Sequence, residues 1–308
     1  MNILLAGGTG FIGSRLLEAF QRDGHAVTML TRSASKAERL QKKGAAIRLW
    51  SDPDWPKALE GVDAVINLAG EGVADGRWTP ARKEKILSSR LESTRALVGA
   101  MAKAGGRPKI MVSASAVGFY GSRGDAGINE DAPAGKGFLS EVCIAWESEA
   151  LKARALGARV VLLRIGIVLG SGGGALSRML LPFRLGLGGR LGSGAQGFPW
   201  VHVDDVVGLA REALINPALD GPVNVVSPEP LTNAEFTAAL GRALRRPAIV
   251  PVPAFVLRLL LGEMSEMLLA GQRALPAAAE KAGYRFKFPR LKECLNDILS
   301  VGNHFVER

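Results

Sequence analysis

The chain has 308 residues, of which 47% are hydrophobic, and its formal net charge at pH 7 is +10. This length and composition can bury a large core, as one domain or as a domain with a smaller lobe. No run of about 18 apolar residues is present, which excludes a membrane-spanning helix, and the basic residues are scattered among acidic ones, which argues against nucleic-acid binding.

The two cysteines, Cys143 and Cys294, lie far apart and lack metal-ligand spacing. We therefore expect free buried thiols, with neither a disulfide nor a metal site. No signal-peptide pattern precedes the first predicted strand. We expect a cytoplasmic protein that binds a small-molecule substrate but no nucleic acid and no membrane, with a homodimer as an open alternative.

The first predicted elements are an apolar strand over residues 2–6, a glycine-rich turn and a helix over residues 12–22. The turn has the glycine spacing of a dinucleotide site. Glycine permits the tight strand-to-helix turn and lets backbone N–H groups approach a pyrophosphate at the helix N-terminus. We therefore predict a nucleotide site here. Its expected contacts are Gly7, Thr9, Gly10, Phe11, Ile12 and Gly13.

Short apolar strands then alternate with helical patterns, as in a parallel sheet covered by helices on both faces. This pattern predicts an α/β fold with a Rossmann-like, doubly wound parallel sheet. The further strands are expected over residues 26–31, 45–49, 64–68, 109–113 and 159–165. The further helices are expected over residues 34–43, 80–104 and 137–156.

The end of the second strand indicates which dinucleotide is bound. An acidic residue there would bind the ribose 2′-hydroxyl of NAD, whereas an arginine accommodates the 2′-phosphate of NADP. The chain has Thr31, Arg32 and Ser33 at this place, with Lys36 nearby. A guanidinium beside two hydroxyl groups suits a phosphate, so we predict NADP (NADPH) as the cofactor. The alternative interpretation is that Arg32 is a solvated loop cation.

After residue 169 the alternation stops. We expect a helix near residues 174–186, a helix ending near 214, a strand over 222–226 and then a mainly helical tail. Residues 1–168 and about 199–228 are assigned to the NADP-binding Rossmann domain. Residues about 169–198 and 229–308 are assigned to a smaller, mainly helical C-terminal lobe on the substrate side.

Two parts of this lobe allow alternative interpretations. The glycine-rich stretches 170–174 and 192–196 are either plain flexible loops or backbone cradles for a second anion. The apolar stretch 247–263 is either core or a face for a membrane surface or a dimer partner. We expect it to be core.

Several motifs resemble the extended short-chain dehydrogenase/reductase and sugar-nucleotide epimerase superfamily, and most closely its atypical, YfcH-like "epimerase family" branch with a C-terminal extension. The motifs are residues 7–13, 67–70, 113–121, 163–170, 199–205, 227–236 and 268–273. The resemblance implies NADP binding by a Rossmann fold. The cofactor contacts that it implies beyond the glycine turn and residues 31–33 are Leu68, Ala69, Gly70, Lys85, Arg90, Ser113 and Val168.

The resemblance also raises the question of catalysis. The superfamily's usual chemistry needs a Tyr-x-x-x-Lys pair on the helix after the fifth strand, where the lysine lowers the pKa of the tyrosine. In this register the chain has Leu139 and Cys143. A leucine transfers no proton, and a packed cysteine without an adjacent base is usually inert.

Three other side chains are therefore the catalytic candidates. Ser113 and Ser115 both lie where, by the resemblance, the superfamily binds a substrate carbonyl, and Ser115 is the preferred donor. Tyr120 follows the fifth strand. His202 has an imidazole that titrates near neutral pH. Tyr120 and His202 also have structural interpretations, and Asp204 is expected to be a helix N-cap.

Two functions follow from these observations. The first is an NADP-dependent oxidoreductase or epimerase on a small carbonyl, hydroxyl or sugar-nucleotide-like compound, with Ser115 or Tyr120 orienting the substrate. The second is a non-catalytic NADP-binding regulator, either a redox sensor or a cell-division-related protein. The missing Tyr-x-x-x-Lys pair favours the second function. The retained cleft and cofactor loops favour the first, which is the interpretation that we adopt.

Overall fold

The computed structural model describes residues 1–35, 44–105 and 108–303. The strands are β1 (Asn2–Ala6), β2 (Ala26–Thr31), β3 (Ala46–Leu49), β4 (Ala64–Asn67), β5 (Ile110–Ala116), β6 (Gly127–Ile128), β7 (Arg159–Ile165), β8 (Ile167–Leu169), β9 (Gly197–Phe198), β10 (Trp200–His202), β11 (Gly221–Val225), β12 (Leu231–Thr232) and β13 (Arg273–Ala274).

The described α-helices are α1 (Phe11–Arg22), α2 (Pro80–Lys103), α3 (Phe138–Leu151), α4 (Gly174–Arg184), α5 (Val203–Ile215), α6 (Asn233–Leu244), α7 (Ala254–Leu261), α8 (Glu266–Leu269), α9 (Ala277–Lys281) and α10 (Leu291–Asn303). Short 3-10 turns cover Trp55–Leu59, Val117–Tyr120, Lys152–Leu156 and Gly262–Ser265.

Seven parallel strands form the central sheet in the order β11-β7-β5-β4-β1-β2-β3. The chain builds one half of the sheet outward from β1 and then returns to build the other half from β4. Strands β1 and β4 are therefore the point where the strand order reverses. In such sheets the ligand crevice lies outside the carboxyl ends of the strands at this point.

Each face of the sheet is covered by helices, as the apolar strands require. On one face α1 and α5 pack Leu16, Phe20 and Leu209 against the strands. On the other face α2 and α3 contribute Leu97 and Ala150. The predicted fold class, a Rossmann-like doubly wound sheet with a helical C-terminal lobe, is confirmed.

The C-terminal lobe has an aromatic core of its own. Phe198 stacks on Phe236 with ring centroids 4.1 Å apart, and Trp200 is buried in the same cluster. Trp200 belongs to the segment 199–228 that we assign to the Rossmann domain, so the two parts share this segment. The domain boundaries therefore stay a prediction.

The predicted elements differ from the structure mainly at their ends. Strand β5 continues three residues beyond the predicted 113, which places Ser115 inside the sheet. The predicted helix 137–156 ends as α3 at Leu151 and continues as a 3-10 turn. Helix α2 begins at the predicted Pro80 because the side chain of Thr79 accepts the Arg82 N–H as an N-cap. Lys36 and all but the first two residues of the predicted helix over 34–43 lie outside the described residues.

The apolar stretch 247–263 is not core, contrary to our expectation. Phe255 is 68% exposed and Leu259 is 73% exposed, whereas Leu257 is buried. Helix α7 thus exposes three of its large apolar side chains, Phe255, Leu259 and Leu260, to solvent. Among the described helices, none is both long and apolar enough to cross a membrane.

Candidate functional site

Gly7, Gly10 and Gly13 of the first turn differ in how closely the surrounding backbone approaches them. Gly7 has φ +82°, and a Cβ there would lie 2.6 Å from the Leu68 carbonyl at the end of β4. A Cβ on Gly13 would lie 2.5 Å from the Gly7 oxygen. A Cβ on Gly10 would have only the Gly7 oxygen within 4 Å, at 3.5 Å, so its neighbours do not require a glycine. The space beside Gly10 is therefore open, and its contact with a pyrophosphate stays a prediction.

The first turn of α1 offers backbone N–H groups to a ligand. Gly10 is the N-cap, and no side chain caps the helix. The first N–H groups of an α-helix have no partner within the helix, and its N-terminus favours negative charge. Thr9, Phe11 and Ile12 are half-buried beside this turn. The turn can therefore hold a pyrophosphate, as the sequence predicts.

The Phe11 ring is covered by the glycine-rich loop 170–174. A Cβ on Gly173 would lie 2.4 Å from the ring, and those on Gly170 and Gly174 would lie 2.8 and 3.0 Å from it. Arg15 donates to the Ser171 carbonyl at 2.8 Å and joins the same loop to α1. These glycines therefore have a packing reason in the structure, so the loop needs no second anion to explain them. Val168, the predicted nicotinamide contact, is half-buried on β8 just before the loop.

The end of β2 has the chemistry of a phosphate site. Thr31 is buried, and its hydroxyl accepts the Ser33 N–H at 3.2 Å, which fixes the turn. The Arg32 side chain is 66% exposed, and its Nη2 lies 3.4 Å from a carboxylate oxygen of Glu71. Arg32 therefore stands free enough to bind an external anion.

The Glu71 carboxylate lies near three basic side chains, close to the carboxyl ends of β1 and β4. Arg82 Nη1 lies 3.0 Å and Lys85 Nζ 3.9 Å from its carboxylate, in addition to Arg32. The hydrogen bond from Arg82 lowers the pKa of Glu71, with further lowering by Lys85 and Arg32. This acid was missed by sequence reasoning. Lys85, a predicted cofactor contact, thus belongs to a cluster of basic side chains that surround the Glu71 carboxylate.

The turn after β4 is fixed by a buried asparagine. Asn67 donates to the Thr94 hydroxyl at 2.9 Å and accepts the Ala69 N–H at 3.2 Å. Ser113 Oγ also lies 3.4 Å from the Asn67 amide nitrogen. Leu68 and Ala69 are thereby held at the carboxyl end of β4, where we expect the cofactor. Ser113 itself is fully buried.

The Arg90 side chain also holds the turn after β4 in place. Its Nη1 donates to the Glu71 carbonyl at 3.0 Å, and its guanidinium carbon lies 5.0 Å from the centroid of the Trp146 ring. A Cβ on Gly70 would approach the guanidinium to 3.1 Å. Burial lowers the pKa of Arg90. The structure gives Arg90 a supporting role, and its direct contact with the cofactor stays a prediction.

Ser115 and Tyr120 belong to one buried polar network. Ser115 donates to Glu147 at 2.6 Å, and Glu147 accepts two hydrogen bonds from Arg164 at 2.9 Å each. Arg164 also donates to the Tyr120 hydroxyl at 2.9 Å, and that hydroxyl donates to Asn224 at 2.7 Å. Both candidates are buried, and burial raises the pKa of Tyr120. Their catalytic roles stay predictions, and the structure gives both hydroxyls protein partners.

Leu139 and Cys143 lie together against the turn after β5. A Cβ on Gly118 would lie 3.2 Å from Leu139 and 4.0 Å from the Cys143 sulfur. Burial raises the pKa of the Cys143 thiol to about 11. A thiol with this pKa stays protonated at neutral pH and is a poor nucleophile. The helix positions that the family uses for proton transfer thus carry no titrating group near neutral pH.

His202 is a helix cap in the structure. Its Nδ1 accepts the Asp204 N–H at 3.1 Å, and its ring packs on Phe288 with centroids 4.0 Å apart. Our prediction that Asp204 is the N-cap of α5 is therefore wrong, because the helix begins at Val203, so that His202 is the N-cap and Asp204 lies in the first turn. Asp204 instead pairs with Lys287 at 2.7 Å. The catalytic role of His202 stays a prediction.

The neighbouring acid Asp205 ties α5 to the C-terminal segment. It is fully buried and accepts the backbone N–H groups of Lys287 and Phe288 at 2.7 and 3.0 Å. Tyr284 donates to it at 3.1 Å.

Within the described ranges, no group of three histidine, cysteine or acidic side chains is placed to hold a metal ion.

A bridging loop, residues 71–79, joins the nucleotide side of the cleft to the C-terminal lobe. Asp75 pairs with Arg178 of α4 at 2.6 Å. Arg77 donates to the Leu259 carbonyl of α7 at 2.5 Å. Trp78 stacks edge-on against Phe138 with centroids 5.0 Å apart. The cleft is thus bordered by contacts between both parts of the chain.

Comparison with known proteins agrees with this geometry. Residues 3–226 match a family model described as the NAD dependent epimerase/dehydratase family, and residues 252–298 match a domain of unknown function, DUF1731. An Arabidopsis thaliana protein, "Epimerase family protein SDR39U1 homolog, chloroplastic", is 43% identical over 97% of this chain and 87% of its own length.

Two solved structures are similar to this chain. Human epimerase family protein SDR39U1 (isoform 2), crystallised with NADPH, is 38% identical with a TM-score of 0.88 over 97% of this chain and 99% of its own. UDP-glucose 4-epimerase of Thermotoga maritima, solved with UDP-glucose, is 20% identical with a TM-score of 0.81 over 99% of this chain and all of its own. At that identity the second likeness concerns the fold alone.

We predict that Gly10→Ala and Gly13→Ala separate binding from folding. Gly10→Ala should leave the free energy of unfolding within about 0.5 kcal/mol of the wild type, because the methyl group meets almost no protein. It should weaken NADPH binding roughly tenfold or more, because the methyl group stands where the backbone approaches the pyrophosphate. Gly13→Ala should lose about 1–3 kcal/mol of stability by overpacking. Urea unfolding and fluorescence titration measure both effects, and full NADPH affinity in Gly10→Ala would refute the assigned site.

We predict that His202 contributes a pH-dependent part of the stability. Burial lowers its pKa in the folded state below the ordinary value of about 6.5. The unfolded chain therefore takes up the proton first, and stability is lost as the pH falls from about 6.5 through the folded pKa. His202→Asn keeps a good N-cap and removes the titration. Urea midpoints between pH 7.5 and 5 should fall less steeply for this variant, and parallel slopes would contradict the prediction.

Proposed function

The chain belongs to the NAD dependent epimerase/dehydratase family, and from this premise we propose that it is an NADP(H)-dependent oxidoreductase or epimerase. The substrate class that we propose is a small carbonyl or hydroxyl compound, with sugar-nucleotide-like compounds included. The observation that carries the NADP assignment is the exposed Arg32 directly after β2, beside buried Thr31 and next to a cation cluster. The NADPH-bound relative supports it.

The residues present fit this cofactor. The uncapped N-terminus of α1 and the open space at Gly10 would receive the pyrophosphate. Arg32 would bind the 2′-phosphate through its guanidinium. Leu68 and Ala69 would line the cofactor from the end of β4, and Val168 from β8. When bound, NADPH would supply the hydride, and the chain would supply orientation and exclusion of water.

A second candidate function is a non-catalytic NADP-binding regulator, such as a redox sensor. One observation favours it: the three catalytic candidates all have protein partners. Ser115 donates to Glu147, Tyr120 donates to Asn224, and His202 caps a helix. The enzyme proposal therefore rests on the cofactor cleft and not on an identified proton donor.

Turnover distinguishes the two functions. The purified protein is titrated with NADPH, and oxidation of NADPH is followed at 340 nm with a panel of carbonyl compounds. Because an epimerase returns the hydride to its substrate and leaves no net change in the cofactor, UDP-sugars are incubated with the protein and NADP+ and are analysed for new epimers by NMR. Oxidation by a carbonyl compound or formation of an epimer supports the enzyme, and Tyr120→Phe and Ser115→Ala then show whether either hydroxyl takes part. Tight binding without turnover over a broad panel would favour the regulator. Absence of binding would refute both functions.

We predict that Arg32→Ala weakens NADPH binding by about ten- to a hundredfold, because a charge-assisted hydrogen bond contributes about 1.5–3 kcal/mol. NADH binding should change little, since NADH has no 2′-phosphate. The Arg32→Asp variant should bind NADPH more weakly still. Titration of each variant with both dinucleotides measures this. Equal losses for NADH and NADPH would contradict the NADP assignment.

We predict that Glu71→Gln has the opposite effect on NADPH binding, because it removes a negative charge instead of a positive one. The glutamate now faces Arg32, Arg82 and Lys85, and a 2′-phosphate at Arg32 would meet its negative charge. Removal of this charge should strengthen NADPH binding several-fold and leave NADH binding unchanged. Weaker NADPH binding in Glu71→Gln, with an unchanged unfolding midpoint, would show that the carboxylate helps the cofactor to bind.

A further inference from the structure

The C-terminal lobe exposes a large apolar surface, which we call the outer lobe face. It is formed by the end of α4 and the chain after it, the segment before α7, and α7 itself. Its exposed apolar side chains are Leu181, Leu185, Leu187, Ile249, Val250, Phe255, Leu259 and Leu260. Contiguous apolar surface of this kind on a folded protein indicates an interaction site.

Backbone contacts show that the members of this face are neighbours. The Val250 N–H donates to the Gly188 carbonyl at 3.1 Å, and the Val252 N–H donates to the Arg190 carbonyl at 2.9 Å. Leu191 and Val252 form a parallel bridge. The chain after α4 therefore runs beside the segment that leads into α7, so the backbone around Leu187 lies next to that around Ile249 and Val250, and α7 follows directly from this segment.

The charge of this face has one sign. Residues 181–192 and 245–262 together contain five arginines and no lysine, aspartate or glutamate. Arg184, Arg245 and Arg246 line a cavity of about 620 Å³ between the ends of α4 and α6. In the part of the chain that the structure describes, these three guanidinium groups have no acidic partner. The next acid along the chain, Glu263, pairs with Lys83 at 2.8 Å.

We propose that the outer lobe face is a docking surface for a membrane that contains anionic phospholipids. Apolar side chains flanked by arginines are what a protein needs to lie in the headgroup region of such a bilayer. Lipid phosphates would enter the arginine-lined cavity, while Phe255 and Leu259 would insert among the acyl chains. Such a membrane offers negative charge to the arginines and an apolar environment to the exposed apolar side chains of this face.

A second copy of the chain is the less suitable occupant. A twofold dimer brings the same patch of both subunits together. Here that would bring two sets of unpartnered arginines together without an acid between them, and like charges in such a contact repel. The expectation of no membrane partner rested on counting residues 247–263 as core, and their exposure removes that ground.

Vesicle sedimentation tests the proposal. The full chain is mixed with vesicles of phosphatidylcholine alone or with 30% phosphatidylglycerol, at about 0.1 and about 1 M NaCl, where the Debye lengths are about 10 and 3 Å. We expect binding only with phosphatidylglycerol and only at low salt. The pair Arg184→Gln and Arg246→Gln should weaken binding roughly 25-fold, at about fivefold per arginine. The pair Phe255→Gln and Leu259→Gln should weaken it roughly tenfold or more.

Matched controls lie elsewhere on the molecule. Ile215, 69% exposed at the end of α5, serves as Ile215→Gln, and exposed Arg48 of β3 serves as Arg48→Gln. Both should bind vesicles like the wild type, and circular dichroism melting checks that every variant is folded. No sedimentation of the wild type, equal binding to neutral vesicles, or equal losses in the controls would overturn the proposal. So would a dimer in light scattering that Phe255→Gln dissociates, because it would identify a second copy as the occupant.

Discussion

The close approach of β1 and β4 is the constraint on which the candidate site depends. Gly7 leaves β1 with its α-carbon against the Leu68 carbonyl, so no side chain fits between the two strand ends. This contact sets where α1 begins and where the turn after β4 lies. Asn67 and Arg90 then hold that turn from two sides. The glycine turn after β1 and the turn after β4, at which we predict the cofactor, thus owe their mutual position to one contact between strands.

The buried network at the carboxyl ends of β5 and β7 explains why catalysis is hard to assign. A carboxylate and a guanidinium in the interior are stable only when their hydrogen bonds are satisfied. Glu147 and Arg164 satisfy them by engaging Ser115 and Tyr120. The hydroxyls that look available for chemistry are therefore needed for a buried ion pair.

The sequence allows prediction of the sheet and the glycine turn, because apolar runs, glycine spacing and the Arg32 position are local signals. It does not allow prediction of the roles of Tyr120 and Ser115, whose partners lie 104 and 32 residues away. A charged residue within an apolar strand, as at Arg164, is the signal that could have indicated a buried pair. The exposure of residues 247–263 was missed because an apolar helix has the same pattern whether its neighbours cover it or not.

The position of Arg164 has a consequence for how the sheet assembles. Side chains alternate along β7, so Arg164 shares a face with Val160 and Leu162, while Val161 and Leu163 point to the opposite core. A shift of β7 by one residue would turn the guanidinium into that opposite core, where Glu147 cannot reach it, and an unpaired buried charge is severely destabilising. Only the native register lets Arg164 reach Glu147, so this buried ion pair favours the native alignment of β7 over an alignment shifted by one residue.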